Sequence, residues 1–486
     1  MASLSSRGSL TTLLLLVLMA CSSFATCGAT RDWHLDSSRA GKKGKSGHGN
    51  HGHPKPKPKP CSPKRPRFST CSKPKPKPSP TPQPSPSPSP PPPQGGGMFN
   101  VLDYGADGDG VNDDTKAFQA AWAAACDGAP SKVIVPSNFE FLVGPISFSG
   151  PCKSNVVFQV DGKIIAPSSG RKAWNSDLLQ WLEFRGLKGI RIEGQGIIEG
   201  QGSAWWSSSS SLLGSDVSEQ WPHVKPTALR FYGSSDVTVS GSTVRNSPQV
   251  HLKFDSCQAV EVTGVTISSP GDSPNTDGIH LQNSVNVFIH NTDLSCDTCV
   301  CSIGDDCISI QTGCSNILVQ NVNCGPGHGI SIGGLGKADS QASVSNVTVQ
   351  NANIVGTMTG VRIKTWQGGS GFVKCIRFAK IKVSKVKTPI VIDQFYCDHR
   401  DCKNQTSAVA LSDIAYDGIV GTYTVQPVYL ACSDGKPCRN IHLSDIQLQL
   451  LKQRGRTYDP FCWQAYGDLR GPAEPPITCL RTNNTI

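Results

Sequence analysis

The chain reads as an all-β solenoid, a parallel β-helix, and two observations predict it. Short Val/Ile-rich runs begin at Ile190, Val237, Val260, Val287, Ile317, Val347 and Ile376, and again at Ile441, with steps after Val237 of 23, 27, 30, 30 and 29 residues. Each run alternates apolar-x-apolar, as in Val237-Thr238-Val239 and Val287-Phe288-Ile289, and Asn, Gly or Ser follows where the chain must bend. One step holds about three short strands, and stacked turns form parallel sheets around an apolar interior. An antiparallel sandwich would show hairpin signals every 8–12 residues or so instead. The longer interval from 190 to 237 is expected to hold two turns.

The open end of a solenoid needs a cap, because unpaired strand edges invite aggregation. Asp113-Asp114-Thr115, followed by Ala117, Phe118, Ala121 and Trp122, predicts an N-capped amphipathic helix just ahead of the repeats. Upstream, Arg7, the apolar Leu10 to Ala20 and the small-residue sites Ser23-Phe24-Ala25 or Cys27-Gly28-Ala29 predict a secretory signal over 1–29. Its apolar core falls short of the about 20 residues needed to cross a bilayer, and no later segment is long and apolar enough. Twenty cysteines fit an exported chain, because disulfides persist outside the cytosol, and Cys21 leaves with the signal. Asn346-Val347-Thr348, Asn404-Gln405-Thr406 and Asn483-Asn484-Thr485 are then glycosylation acceptors.

Residues 30–97 are low-complexity, with alternating Lys-Pro over Pro54 to Pro60, a Ser-Pro run over Ser79 to Pro93, and Gly95-Gly96-Gly97 at the boundary. Alternating proline favours extended polyproline II and removes backbone donors, so no core forms there. Thirteen cations lie between Arg39 and Lys77, whereas the body from Met98 to Ile486 has 31 Lys+Arg against 34 Asp+Glu, a net charge of −3. Basicity confined to a tail, on a mildly acidic body, gives no case for a nucleic-acid-binding domain. It leaves two roles for the tail: a solvated spacer, or contact along an acidic polymer.

Four short motifs follow one another within strand-like sequence: Asn275-Thr276-Asp277, Gly304-Asp305-Asp306-Cys307, Gly327-His328-Gly329 and Arg362-Ile363-Lys364. Asp277 to Asp305 is 28 residues, Asp305 to His328 is 23, His328 to Arg362 is 34, and Arg362 to Tyr396 is 34. Each interval is near one turn, and turns stack about 4.8 Å apart, so these groups can line a single cleft. A lone aspartate in such a turn is ordinarily a turn-former. Three carboxylates, an imidazole and an Arg/Lys pair on one face instead suit acid/base hydrolysis of a polymer that carries carboxylates. Carboxyl groups about 6.5–9.5 Å apart leave room for an attacking water, the inverting arrangement.

These residues and their flanks resemble glycoside hydrolase family 28, the polygalacturonases, in its plant-type form. The resemblance is carried by Ser273-Pro274-Asn275-Thr276-Asp277-Gly278-Ile279-His280, Gly304-Asp305-Asp306-Cys307, Cys324-Gly325-Pro326-Gly327-His328-Gly329-Ile330-Ser331-Ile332-Gly333, Gly360-Val361-Arg362-Ile363-Lys364-Thr365 and Ile392-Asp393-Gln394-Phe395-Tyr396. It spans Phe99 to the C-terminus and implies a right-handed, pectin-lyase-like β-helix over 98–486. It implies that Asp305 is the general acid, that Asp277 and Asp306 hold and activate water, and that His328 tunes the acid. Arg362 and Lys364 would grip a substrate carboxylate, and Asn275 and Tyr396 would contact sugar. The implied activity is inverting hydrolysis of α-1,4 bonds in de-esterified homogalacturonan in the cell wall, by a monomer that uses no cofactor or metal. Rivals on the same fold are a rhamnogalacturonan or xylogalacturonan hydrolase; a lyase, or a non-catalytic pectin-binding wall protein, would not call for this carboxylate set.

The chain departs from the family pattern at Asp297-Thr298-Cys299-Val300-Cys301-Ser302-Ile303, extra residues just before Gly304 that are either a bulged loop or an error in the derived sequence. Cys296, Cys299 and Cys301 have no matching downstream cluster, which argues against zinc. Cys307 with Cys324 follows from the resemblance, and proximity pairs Cys432 with Cys438. Cys126–Cys152, Cys462–Cys479, Cys397–Cys402 and Cys61–Cys71 complete the expected set.

Overall fold

The computed structural model describes residues 97–482 apart from 169–173, 175–179, 208–223, 272, 296–303, 399–401 and 452–454. The expected signal, almost all of the expected tail, Cys61, Cys71, Cys296, Cys299, Cys301 and Asn483 lie outside the described residues. Strands pair in parallel, turn upon turn, into a 19-stranded and an 11-stranded sheet, the right-handed β-helix that the periodicity and resemblance predict. The 11-stranded sheet takes one strand from each turn, including Ile279–Gln282, Asp306–Ile310, Gly329–Leu335, Thr359–Thr365 and Thr388–Asp393.

Alternation along these strands separates packing from chemistry, because successive side chains point to opposite faces. Inward-facing Phe148, Phe184, Phe231 and Phe254 stack with centroids 4.9, 5.3 and 5.0 Å apart, and Leu281, Ile310, Ile332 and Ile363 continue the column in register. The adjacent outward column reads Glu183, Arg230, Lys253, His280, Ser309, Ser331 and Arg362.

The corners have their own order. Asn286, Asn316 and Asn346 adopt left-handed backbone (φ 57°, 57° and 55°), and each amide donates to the previous one, at 2.9 Å for Asn316 to Asn286 and 2.8 Å for Asn346 to Asn316. Asparagine tolerates this backbone better than other side-chain-bearing residues. Asn316→Ala should therefore lower the unfolding free energy by about 1–3 kcal/mol, the cost of leaving its buried neighbours unsatisfied. The denaturant midpoint should fall with an unchanged slope; an unmoved midpoint would mean that water serves these amides equally well. Of the expected acceptors, Asn346 is 8 % exposed and its amide nitrogen donates to Asn316, whereas Asn404 is exposed.

The expected cap is the helix Thr115–Asp127, which buries Ala117, Phe118, Ala121, Trp122 and Ala125. Asp114 stands at the N-cap but makes no side-chain capping bond; its carboxylate accepts from Asp107 N (2.7 Å), while Asp113 accepts from Thr115 N (3.0 Å). The expected two turns between 190 and 237 are in fact one, because Arg191 and Ile192 pair directly with Thr238 and Val239. The surplus chain leaves the sheets between Glu199 and Thr227 and includes the short helix Ser203–Ser207. A further rung at Ile414 lies between Ile376 and Ile441. Disulfides join Cys126–Cys152, Cys307–Cys324, Cys397–Cys402, Cys432–Cys438 and Cys462–Cys479.

Candidate active site

The junctions that feed the 11-stranded sheet stack like its strands. His251 N donates to Asp277 O (2.9 Å), Gly278 N to Asp306 O (2.9 Å), and His328 N to Asp305 O (2.9 Å). Asp277, Asp305, Asp306 and His328 thus occupy neighbouring junctions on one edge of the sheet. Gly304 permits this approach, since a Cβ there would lie 1.7 Å from the Ser273 carbonyl oxygen.

Each carboxylate has a distinct environment. Asp305 Oδ1 accepts from Asp306 N (2.9 Å) and lies 2.7 Å from His328 Nδ1, and Asp305 Oδ2 accepts from Asn275 Nδ2 (3.2 Å). Asp277 Oδ2 lies 2.9 Å from His280 Nδ1. Asp306 is 1 % exposed; its Oδ1 accepts from Arg362 (2.8 Å) and Ser331 (2.7 Å), and its Oδ2 from Lys364 (2.8 Å). Lys364 Nζ also sits 5.3 Å from the centre of the Tyr396 ring, which packs edge-on against Trp366. Arg362 and Lys364 thus direct their charges at Asp306.

These surroundings drive two of the carboxyls in opposite directions. Burial raises Asp277 above the ordinary carboxylate range, reinforced by the charges of Asp305 and Asp306 and opposed by His280. Burial would raise Asp306 too, but Lys364 and Arg362 together with Ser331 hold it below that range. Beneath Asp277, wholly buried His251 is pushed down to about 4 by desolvation, so at neutral pH its ring is uncharged. With Nδ1 protonated, His251 donates to Asp277 O (2.9 Å) and accepts from Ser269 Oγ at Nε2 (2.7 Å).

All eight residues singled out in the sequence fall in this neighbourhood. His280, Ser331 and His251, which hold the carboxylates in place, were not singled out; the first two lie at outward positions of the strands that follow Asp277 and His328, and that alternation was the available signal. Ligand atoms of Asp305, Asp306 and His328 lie within 4.8 Å of one another, a spacing that suits a cation. The donor set does not suit one, because both Asp306 oxygens already accept from fixed positive groups.

The family model described as glycosyl hydrolases family 28 matches residues 126–457. A probable polygalacturonase of Arabidopsis thaliana is 42 % identical over 80 % of this chain and 85 % of its own, and a polygalacturonase of Cryptomeria japonica is 42 % identical over 73 % and 67 %. Among solved structures, a polygalacturonase of Erwinia carotovora superposes with a TM-score of 0.58 at 23 % identity, over 76 % of this chain and 97 % of that one, a likeness of fold. The chain belongs to glycoside hydrolase family 28.

Proposed function

We propose that the cleft hydrolyses α-1,4-galacturonosidic bonds of de-esterified homogalacturonan by single displacement, with Asp305 as general acid and Asp277 and Asp306 on the water. The protein is a glycoside hydrolase of the polygalacturonase type, acting on pectin. The observation that carries the assignment of roles is the stacking of Asp277 on the Asp305-Asp306 junction, with His328 Nδ1 2.7 Å from Asp305 Oδ1.

That separation lets a proton pass between imidazole and carboxyl, so His328 can resupply the proton that Asp305 gives to the leaving oxygen. Asn275 orients Asp305 from the other side. Asp306, held as an anion by Arg362 and Lys364, supports the positive charge that builds on the sugar ring. Arg362 and Lys364 also present positive charge to a galacturonate carboxylate beside the scissile bond, which favours homogalacturonan over a rhamnose-containing chain. Tyr396 supplies an aromatic wall for that sugar. The enzyme works as a secreted monomer in the cell wall, where pectin resides.

Early-time proton NMR of the released reducing end tests the mechanism. An initial β-anomer is expected. An initial α-anomer would mean a covalent intermediate and a nucleophilic role for one aspartate.

A further inference from the structure

The strand Ser370–Val386 turns its apolar residues inward except Phe372 and places Lys374, Arg377, Lys380, Lys382 and Lys385 at exposed positions, with exposed Lys387 just beyond it. No Asp or Glu occurs between residues 371 and 392. Arg377 pairs with Asp417, but Lys374, Lys380, Lys382, Lys385 and Lys387 have no carboxylate within 4.0 Å among the described residues. Lys380 and Lys385 occupy left-handed corners (φ 54° and 55°), so four free cations bracket one flat face of the solenoid.

The strands beside that face are uncharged at the paired positions, with amides and the apolar Val355 and Val420. Lys382 lies between Asn353 and Val420, with Asn323 and Gln447 next in register on either side, and Thr422 pairs with Gln449. The carboxylates on the flanking turn are engaged: Asp417 with Arg377 and Ser444, and Asp413 with Asn440 and Ser412. Asp445, beyond Gly418 at the Lys380 corner, Glu474, next in register to Gln447, and Asp293, next to Asn323, are the acids that border the patch among the described residues. The stripe also reaches the catalytic edge. Lys387 N donates to Thr357 O (3.0 Å) and Met358 N to Gly327 O (2.8 Å), so Lys387 stands in the same row of junctions as His328.

We propose that Lys380, Lys382, Lys385 and Lys387, with the amides of Asn353 and Gln447 beside them, form a second polyanion-binding surface that docks homogalacturonan outside the catalytic cleft. The proposal rests on the pectin-hydrolase reading. Unpaired cations on a body of net charge −3 would attract a polyuronate locally where the body as a whole repels it. Amide side chains in the same surface supply donors and acceptors for sugar hydroxyls. Cations at the two corners and on the strand segment between them present several positive charges to a chain of repeated carboxylates.

The test is lysine acylation footprinting of the full chain carrying Asp305→Asn, so that the polymer stays intact. Long polygalacturonate at about ten times its Kd should slow labelling of Lys380, Lys382 and Lys385 about tenfold, the protection mass action gives. Lys116, exposed on the capping helix, should label at its original rate. Salt should remove the protection, since screening shortens to about 3 Å at 1 M. Equal protection by fully methyl-esterified pectin would overturn the charge-based account, and unchanged labelling would overturn the docking surface. In parallel, the triple variant Lys380→Gln, Lys382→Gln, Lys385→Gln should leave immobilised polygalacturonate at lower salt while cleaving a short oligogalacturonide at the parental rate; unaltered retention would also overturn the proposal. Failure of the unmodified enzyme to cut polygalacturonate would sink the hydrolase reading instead.

Discussion

Replacing Asp305 by asparagine should reduce turnover of polygalacturonate by about 10²–10⁴-fold, the contribution of a positioned general acid. Shape survives the change and the remaining oxygen can still accept from Asp306 N, while the NH2 that replaces Oδ2 no longer accepts from Asn275 Nδ2, so substrate binding should stay close to that of the parent. Calorimetric titration with an oligogalacturonide and initial-rate assays on the same preparation separate the two quantities. A variant that keeps more than about a tenth of the parental rate would show that another group delivers the proton.

Arg362→Ala should have the second largest effect. Arg362 is 8 % exposed and Asp306 1 % exposed, so the substitution strips one cation from a buried carboxylate. Loss of one partner from such a cluster costs about 3–5 kcal/mol, and Lys364, which still bonds Asp306 Oδ2, should hold the loss near the lower figure. The pH dependence gives the sign. Asp306 is depressed in the folded protein, so the cluster's stability is present above the unfolded carboxylate value, about 3.9, and is lost as pH falls through the lower folded value. The stability gap between parent and variant should therefore be open at pH 7 and close on acidification. Activity on de-esterified polymer should fall far more than on methyl-esterified polymer; equal losses would confine Arg362 to supporting Asp306.

The sequence made much of this architecture legible because a solenoid repeats. Apolar runs near Val260, Val287, Ile317 and Val347 predicted rungs that pair in the expected register. Motif intervals near one turn length predicted that Asp277, Asp305 and His328 would share an edge. Periodicity measures chain length, however, not where the length goes. The 190–237 interval looked like two turns because its surplus leaves the sheets between Glu199 and Thr227, a segment without apolar alternation. The Cys397–Cys402 loop likewise displaced the rung at Ile414 from its expected spacing. The partner of a charged group was also not readable: Arg362 and Lys364 looked outward to substrate, and only three dimensions set Asp306 beneath them. The supporting roles of His280 and Ser331 were hidden for the same reason, because alternation gives a side chain's face but not its neighbour.

The asparagine corners bear on how such a cleft can change over time. Each amide is tied to the one a turn away, so a residue gained or lost inside a rung would put that rung out of step with the turns on either side. The junctions ahead of the 11-stranded sheet also meet through backbone hydrogen bonds, yet they differ widely in length, from Lys387 alone between two strands to the span between Glu199 and Thr227. Insertions are therefore channelled towards the edge where the carboxylates stand. A lineage can lengthen, shorten or re-equip the edge that carries the carboxylates while the scaffold keeps its pitch.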